Sequence, residues 1–289
     1  MAVNSSNEAL VTVVMPVFNG ESYLASAIDS MLSQDFTRWR LIVVDDCSTD
    51  RSPDIVAQYN DERIHTFRME SNGGIARALN AGIARADTRF IARLDQDDIA
   101  YPSRLSRQVQ FLEENRHVAL LGTWAQFFGA DTRKVKPPIQ HGDLLAELLW
   151  RNPFVHSSVM FRREIVDMEE GPYNSAFTGC EDYDLWQRVS LRFGVANLPE
   201  MLTKHRLHEN QMTAGAQAKS REIELRTIIA YRHRVTLGFN SGSSLLPPIF
   251  LMSNLGFFFT PRKKRKISRS RLLAAFVRWV SRNLASLVR

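Results

Sequence analysis

The 289-residue chain has little cysteine, and the two it has, Cys47 and Cys180, exclude a disulfide framework and a four-cysteine zinc site. That scarcity fits a reducing compartment. No apolar run reaches the ~18 residues that a membrane-spanning helix needs. The N-terminal stretch MAVNSSNEALV lacks the basic and apolar regions of a signal peptide, so none is expected. G-x-G-x-x-G does not follow the first expected strand, which argues against a dinucleotide site. G-x-x-x-x-G-K-[ST] is also missing, which argues against a P-loop nucleotidase.

What is present is an ordinary globular composition, 44% hydrophobic and 24% charged, enough to bury a sizeable core. The net charge of +6 conceals an asymmetry. Residues 261–289 carry ten Lys or Arg and no acid, whereas residues 1–260 hold 27 basic and 31 acidic side chains, a net of −4. Basic charge confined to one tail does not make a nucleic-acid surface across a fold, and no nucleic-acid partner is expected.

Residues 11–128 alternate short apolar runs with helical periodicity. Val11–Val17, Leu41–Val44, Ile64–Phe67 and Phe90–Leu94 read as strands. Residues 21–34, 52–60 and 75–86, and a segment opening at Tyr101, read as helices. This spacing predicts βαβ units and a parallel sheet, with ligands at the carboxyl ends of the strands. Beyond residue 118 the pattern loosens. Val118–Phe128 and Val155–Arg162 read as strands, and 182–193 and 217–238 as helices.

Polar turns stand at the expected ligand edge. The first strand ends in Pro16-Val17-Phe18-Asn19, the second in Asp45-Asp46-Cys47-Ser48-Thr49-Asp50, and the fourth in Asp95-Gln96-Asp97-Asp98. Two carboxylates at i and i+2 on one turn can both reach a divalent cation, and hard oxygen ligands suit Mg²⁺ or Mn²⁺. An isolated acidic turn is more often simply solvated, and its place at the ligand edge favours the cation reading. Asp46 can accept a base imide N–H or a ribose hydroxyl; the alternative for this turn is helix capping, with Ser48 or Asp50 serving the helix near Ser52. Asn72-Gly73-Gly74 before a helix fits a phosphate-facing N-terminus or a plain turn. Glu181-Asp182 opens a helix, where acids cap favourably and where a general base can also sit. His205 and His208 lack the partners of a zinc site, which leaves a lone histidine contributing to a Mn²⁺ site. His156 reads as a packed or hydrogen-bonded residue.

The ordered set Val14-Met-Pro-Val-Phe-Asn19, Val44-Asp-Asp-Cys-Ser-Thr-Asp50, Asn72-Gly-Gly74, Leu94-Asp-Gln-Asp-Asp98 and Glu181-Asp-Tyr-Asp-Leu-Trp186 resembles the family 2 glycosyltransferases of the A-type (GT-A) fold. The resemblance implies a Rossmann-like α/β nucleotide-diphospho-sugar transferase fold, with a mostly parallel central sheet and helices on both faces. It implies inverting transfer from a nucleoside diphosphate sugar, often a UDP-sugar. Pro16, Val17 and Asp46 would then hold the base, with Asn19, Glu21, Asn72 and Gly73 beside the nucleotide. Asp95 would touch the ribose or the metal, Asp97 would coordinate Mn²⁺ or Mg²⁺, and His208 would join the metal or diphosphate site. Asp182, with Glu181 beside it, would deprotonate the acceptor hydroxyl. Cys47 stands where glycine is more usual, and Gln96 where a small residue is.

Residues 1–239 are therefore read as a catalytic domain, with a nucleotide-binding half over about 10–115 and an acceptor half over about 116–239. Residues 240–289 read as linker, basic run and amphipathic helix. At ~100° per residue, Leu272, Leu273, Phe276, Val277, Val280, Leu284, Leu287 and Val288 fall within ~80° of one direction. Arg271, Arg278, Arg282 and Arg289 fall within ~20° of the opposite one. With Arg262-Lys-Lys-Arg-Lys266 before it, such a helix suits an anionic membrane surface, or else docks on the catalytic domain. The expectation is a cytoplasmic enzyme, peripheral on the inner face of the plasma membrane, acting on a glycan or lipid-linked acceptor in surface polysaccharide biosynthesis. The rival readings are an inactive sugar-nucleotide-binding or membrane scaffold protein and a sugar-phosphate nucleotidyltransferase. The latter would need a glycine- and arginine-rich loop after the first strand, which Pro16-Val-Phe-Asn19 is not.

Overall fold

A computed structural model describes residues 8–149, 151–168, 172–208, 225, 226, 228 and 229. The linker, basic run and amphipathic helix expected over 240–289 lie outside the described residues. So does most of the helix expected over 217–238; its four described residues are helical.

The N-terminal half is the alternating unit that its sequence predicts. β1 (Val11–Val17), β2 (Trp39–Asp45), β3 (Ile64–Arg68) and β4 (Phe90–Arg93) pair in parallel in the order β3-β2-β1-β4. The connecting helices are α1 (Leu24–Leu32), α2 (Ser52–Ala57) and α3 (Ile75–Ala84). Both faces of this sheet are covered, and the period-2 alternation of the strands sorts side chains between two cores. Val13, Met15, Leu41, Val43 and Ala92 pack with α1 and α4 (Arg104–Glu114). Val14, Ile42, Val44 and Ile91 pack with α3 and with α5 (His141–Leu148) and α6 (Glu181–Ser190). The α3 layer lies close: a Cβ on Gly82 would sit 2.5 Å from Val14 Cγ1 and 2.9 Å from Val44 Cγ2.

The C-terminal half extends the sheet through antiparallel pairing. β8 (Met160–Arg162) runs between β4 and β6 (Val118–Gly129), antiparallel to both. β9 (Gly194–Leu207) pairs parallel to β6, β5 (Ile99–Ala100) closes the far edge against β9, and β7 (Lys134–Val135) flanks β6. The sheet is thus parallel through its N-terminal half and mixed beyond it. Residues 94–98 leave β4 in mid-sheet and return at the far edge as β5, so this one turn touches both halves.

Three readings need correction. The strand expected over 155–162 is a 3-10 turn, His156–Ser158, followed by the shorter β8. The Ser158 amide and hydroxyl both donate to Val155 O, which closes the turn. Helix α2 ends at Ala57 rather than Asn60. The long β9 was not anticipated, because Pro199 interrupts its pattern. The register opposite Thr123 and Trp124 passes from Leu198 to Met201, which leaves Pro199 and Glu200 as a bulge where proline is tolerated.

Candidate active site

The loops after β1 and β2 are joined by a polar zipper. The amides of Asn19 and Gly20 donate to Ser48 Oγ (3.0 Å) and Ser52 Oγ (2.8 Å). The Glu21 amide donates to Asp50 Oδ2 (2.9 Å), and the Arg51 amide to Glu21 Oε2 (3.1 Å). Asn19 Oδ1 accepts from the Thr49 amide (2.8 Å). Asn19 and Glu21 therefore shape the loops after β1 and β2 through these bonds. Asp50 also accepts the Ser52 amide (2.9 Å) at the start of α2, but from the position before the N-cap, which is Arg51 and not the expected Ser48 or Asp50. Pro16 and Val17 lie in β1, paired with Val44 and Asp45. Val17 is packed in the core, so what it offers the loop layer is backbone, and its carbonyl accepts from the Asp46 amide (2.7 Å).

Asp46 is buried, and its two oxygens accept the amides of Gly73 (2.7 Å) and Gly74 (2.8 Å). Asn72 Nδ2 donates to the Asp46 carbonyl (3.2 Å). Asp46, Asn72 and Gly73 thus form one cluster at the mouth of α3. Gly74 has φ +79, which its lack of a Cβ permits. The neighbouring Asp45 takes an ion pair from Arg68 and the Ser48 amide (2.8 Å).

The acidic turn holds Asp95, Asp97 and Asp98 with carboxylate oxygens within 4.8 Å of one another. Asp95 is paired with the buried Arg93 and accepts from Ser157 Oγ (2.7 Å). Asp98 is fully buried between His205 Nδ1 (2.8 Å) and the Arg206 amide (2.7 Å). Asp97 is partly open and meets His208 Nε2 at 2.8 Å. Burial, with the charges of Asp95 and Asp98 beside it, pushes the Asp97 carboxyl up to about 6. This donor set fits a hard divalent cation, which would relieve that repulsion. The two histidines diverge onto separate carboxylates, so they form no zinc pair. Desolvation opposes protonation of His205, but the Asp98 carboxylate outweighs it and raises the imidazole. Arg206 braces the turn: its guanidinium lies between Tyr23 (4.2 Å) and Phe128 (4.3 Å), and its Nε donates to the Asp97 carbonyl (2.9 Å).

Glu181 and Asp182 open α6. Burial, then the adjacent Asp182 charge, raises Glu181 to about 7. Desolvation also raises Asp182, although 18% of its side chain stays open. Asp182 accepts from the Tyr183 amide (2.7 Å) and from Asn152 Nδ2 (2.6 Å). His156 Nδ1 lies 3.9 Å from it, and His156 Nε2 meets the Tyr173 hydroxyl at 2.9 Å. Burial, with Arg93 nearby, holds His156 well below its usual value, as suits a packed, neutral ring. The acidic turn and the α6 acids are thus linked through consecutive residues: Ser157 touches Asp95, and His156 faces Asp182.

Residues 12–169, more than half of the chain, match glycosyl transferase family 2. The chain belongs to this family. A putative glycosyltransferase of Bacillus subtilis, EpsE, is 35% identical over 204 residues, covering 68% of this chain and 72% of its own. An uncharacterized glycosyltransferase of Haemophilus influenzae is 30% identical over 221 residues, 72% of this chain and 68% of its own. Among solved structures, S. aureus TarS in complex with UDP aligns at a TM-score of 0.59 and 20% identity, covering 86% of this chain and 79% of its own. The Pyrobaculum calidifontis mannosyltransferase PcManGT, in complex with GDP-Man and Mn²⁺, aligns at 0.58 and 16%, covering 96% and 88%. These similarities show the A-type glycosyltransferase fold.

Both departures from the family pattern have a local cause or use in this glycosyltransferase. Cys47 has φ 63, the left-handed conformation that glycine adopts freely, and its thiol donates to Met69 O (2.9 Å). Gln96 clamps the first loop: Oε1 accepts the Phe18 amide (2.8 Å) and Nε2 donates to the Phe18 carbonyl (3.1 Å). Phe18 is held there with 46% of its surface exposed. Sequence reasoning passed over Phe18, Arg93, Asn152, Ser157 and Arg206, and weighed His205 only as half of a histidine pair. Arg93 alone left a sign, a cation inside a run expected to be a buried strand.

Proposed function

We propose that this glycosyltransferase transfers a sugar from a nucleoside diphosphate sugar, UDP-linked by preference, to a hydroxyl of a glycan or lipid-linked acceptor with inversion at the anomeric carbon. The observation that carries the reading is the single edge where the acidic turn at 95–98 meets Glu181 and Asp182 through His156 and Ser157. Asp97, Asp95 and His208 would hold Mn²⁺ or Mg²⁺. When bound, the cation supplies positive charge to the leaving diphosphate. The cluster of Asp46, Asn72 and Gly73, with the loop of Pro16, Val17, Asn19 and Glu21, forms the nucleotide side. Asp182 accepts the proton of the acceptor hydroxyl, and burial raises its affinity for that proton. One in-line displacement needs no covalent nucleophile from the chain.

Relatives support the biological setting. TuaG of Bacillus subtilis, a putative teichuronic acid biosynthesis glycosyltransferase, is 42% identical over 107 residues, covering 36% of this chain and 42% of its own. We assign this enzyme to surface polysaccharide synthesis, with residues 1–239 as the catalytic domain and 240–289 as a tail. No helix among the described residues is long and apolar enough to cross a membrane. The basic amphipathic tail is assigned to the anionic inner face of the plasma membrane. Full-length protein should bind anionic liposomes, and a chain ending at residue 260 should not.

The deciding experiment is calorimetry of UDP binding with and without Mn²⁺, on wild type and Asp97→Asn. Binding that requires Mn²⁺ and falls at least tenfold in the variant supports the site. Metal-independent binding, or none, removes the assignment of this turn to a UDP diphosphate.

A further inference from the structure

The candidate base is held by a residue that no motif contains. Asn152 lies in the loop before the 3-10 turn, thirty positions from Asp182, and its Nδ2 is 2.6 Å from Asp182 Oδ2. The amide orientation is set independently, because the Phe154 amide donates to Asn152 Oδ1 (3.0 Å). With Oδ1 serving as acceptor, the NH₂ must face the carboxylate. The other carboxylate oxygen, Oδ1, is held by the Tyr183 amide (2.7 Å). One oxygen is therefore fixed by the helix and the other by a side chain from a separate segment. That same segment continues through His156 and Ser157 to Asp95, so one short stretch of chain touches both the candidate base and the acidic turn.

We propose that Asn152 is a positioning residue for the Asp182 carboxylate, fixing its rotation and favouring its ionised form at the acceptor side of the site. This rests on the reading of Asp182 as the base. A hydrogen bond from a neutral amide favours the charged state of a carboxylate, against the desolvation that favours the neutral one. The other groups facing Asp182 are His156 from the 3-10 turn, Arg93 from β4, Arg226 from the C-terminal helical residues, Tyr173, and Glu181 on its own helix. Arg93 and Arg226 act in the same sense as Asn152 through their charge, whereas Asn152 donates a side-chain hydrogen bond directly to the carboxylate.

The test uses full-length protein with Mg²⁺ and carboxyl-¹³C aspartate, following Asp182 by NMR from pH 4 to 9 and identifying its signal by its loss in Asp182→Asn. Asn152→Asp keeps the volume and the bond to the Phe154 amide but sets carboxylate against carboxylate. The Asp182 midpoint should rise by at least one pH unit, a tenfold change in proton affinity. Asn152→Ala should raise it by a smaller interval. UDP affinity should stay within twofold in both, because Asn152 makes no bond to the nucleotide-side loops. If Asp182 titrates at the wild-type midpoint in Asn152→Asp, Asn152 is only a structural residue and the inference is overturned, while the base assignment stands. If Asp182→Asn retains wild-type turnover, the base assignment and this inference both fall. Should Asn152→Ala not fold, the isosteric variant still decides the matter.

Discussion

The two halves of the site satisfy their polar groups differently. In the half proposed to hold the nucleotide, loop is tied to loop by backbone amides donating to hydroxyls and single carboxylates: Asn19, Gly20 and Glu21 to Ser48, Ser52 and Asp50, and Gly73 and Gly74 to Asp46. In the half proposed to face the acceptor, carboxylates are buried beside one another, and their proton affinities rise: Glu181 to about 7, with Asp182 also displaced upward. A scaffold that grips a nucleotide needs rigid loops, and amide-to-oxygen bonds supply them. A group that takes a proton needs an environment that makes the proton welcome, and burial supplies that. The comparison predicts that damage to one half leaves the other half's readout intact.

The largest separation should come from Asp182→Asn. Turnover should fall by about 10²- to 10⁴-fold, the usual contribution of a positioned base. Mn²⁺-dependent UDP affinity should hold within twofold. Equal losses in both would show that the halves are not separable. Next in size is Glu181→Gln. Because burial lifts the folded-state affinity of Glu181 for its proton, the unfolded chain releases that proton first as pH rises. Stability is therefore lost between roughly pH 4.5 and 7, by at most about 3 kcal/mol. Urea denaturation at pH 5 and pH 8 should show wild type losing more stability than Glu181→Gln over that interval. A parallel loss in the two proteins would mean that Glu181 titrates normally.

The same contrast explains what could be read in advance. The strands of the nucleotide half are short apolar runs, and the residues at their ends cluster in sequence, so Asp46, Asp95 and Asp97 were visible as turns at a predicted ligand edge. Glu181 and Asp182 were visible as acids opening a helix. What gives those acids their chemistry was not visible. Asn152, His156 and Ser157 act across tens of residues, and no local spacing records that Asn152 will face Asp182 or that Ser157 will face Asp95. β9 escaped because Pro199 breaks its alternation, and the structure absorbs the proline in a bulge. The helix over 141–148 escaped because its eight residues make only about two turns, too short to establish a period; Leu144 and Leu148 are its buried leucines.

Two smaller effects sharpen the nucleotide half. Gln96→Ala removes both bonds to the Phe18 backbone while leaving Asp95 and Asp97 in place. Partly exposed hydrogen bonds contribute about 0.5–1.5 kcal/mol each, so UDP affinity should weaken by roughly tenfold with turnover of bound donor little changed. An unchanged affinity would mean that the first loop holds its shape without the clamp.

The finest test concerns Cys47. Comparing Cys47→Gly with wild type mixes two terms, relief of the left-handed backbone and loss of the bond to Met69 O. Comparing Cys47→Gly with Cys47→Ala cancels the second, because neither variant carries a thiol. Alanine at φ 63 incurs the Cβ clash of the left-handed region, on the order of 1–2 kcal/mol, which exceeds the entropy that glycine adds to the unfolded chain. The glycine variant should therefore be the more stable of the two by about 1 kcal/mol in urea denaturation. If alanine matches or exceeds glycine, residue 47 does not hold a left-handed conformation in solution, and the geometry of the loop that presents Asp46 must differ from the one described.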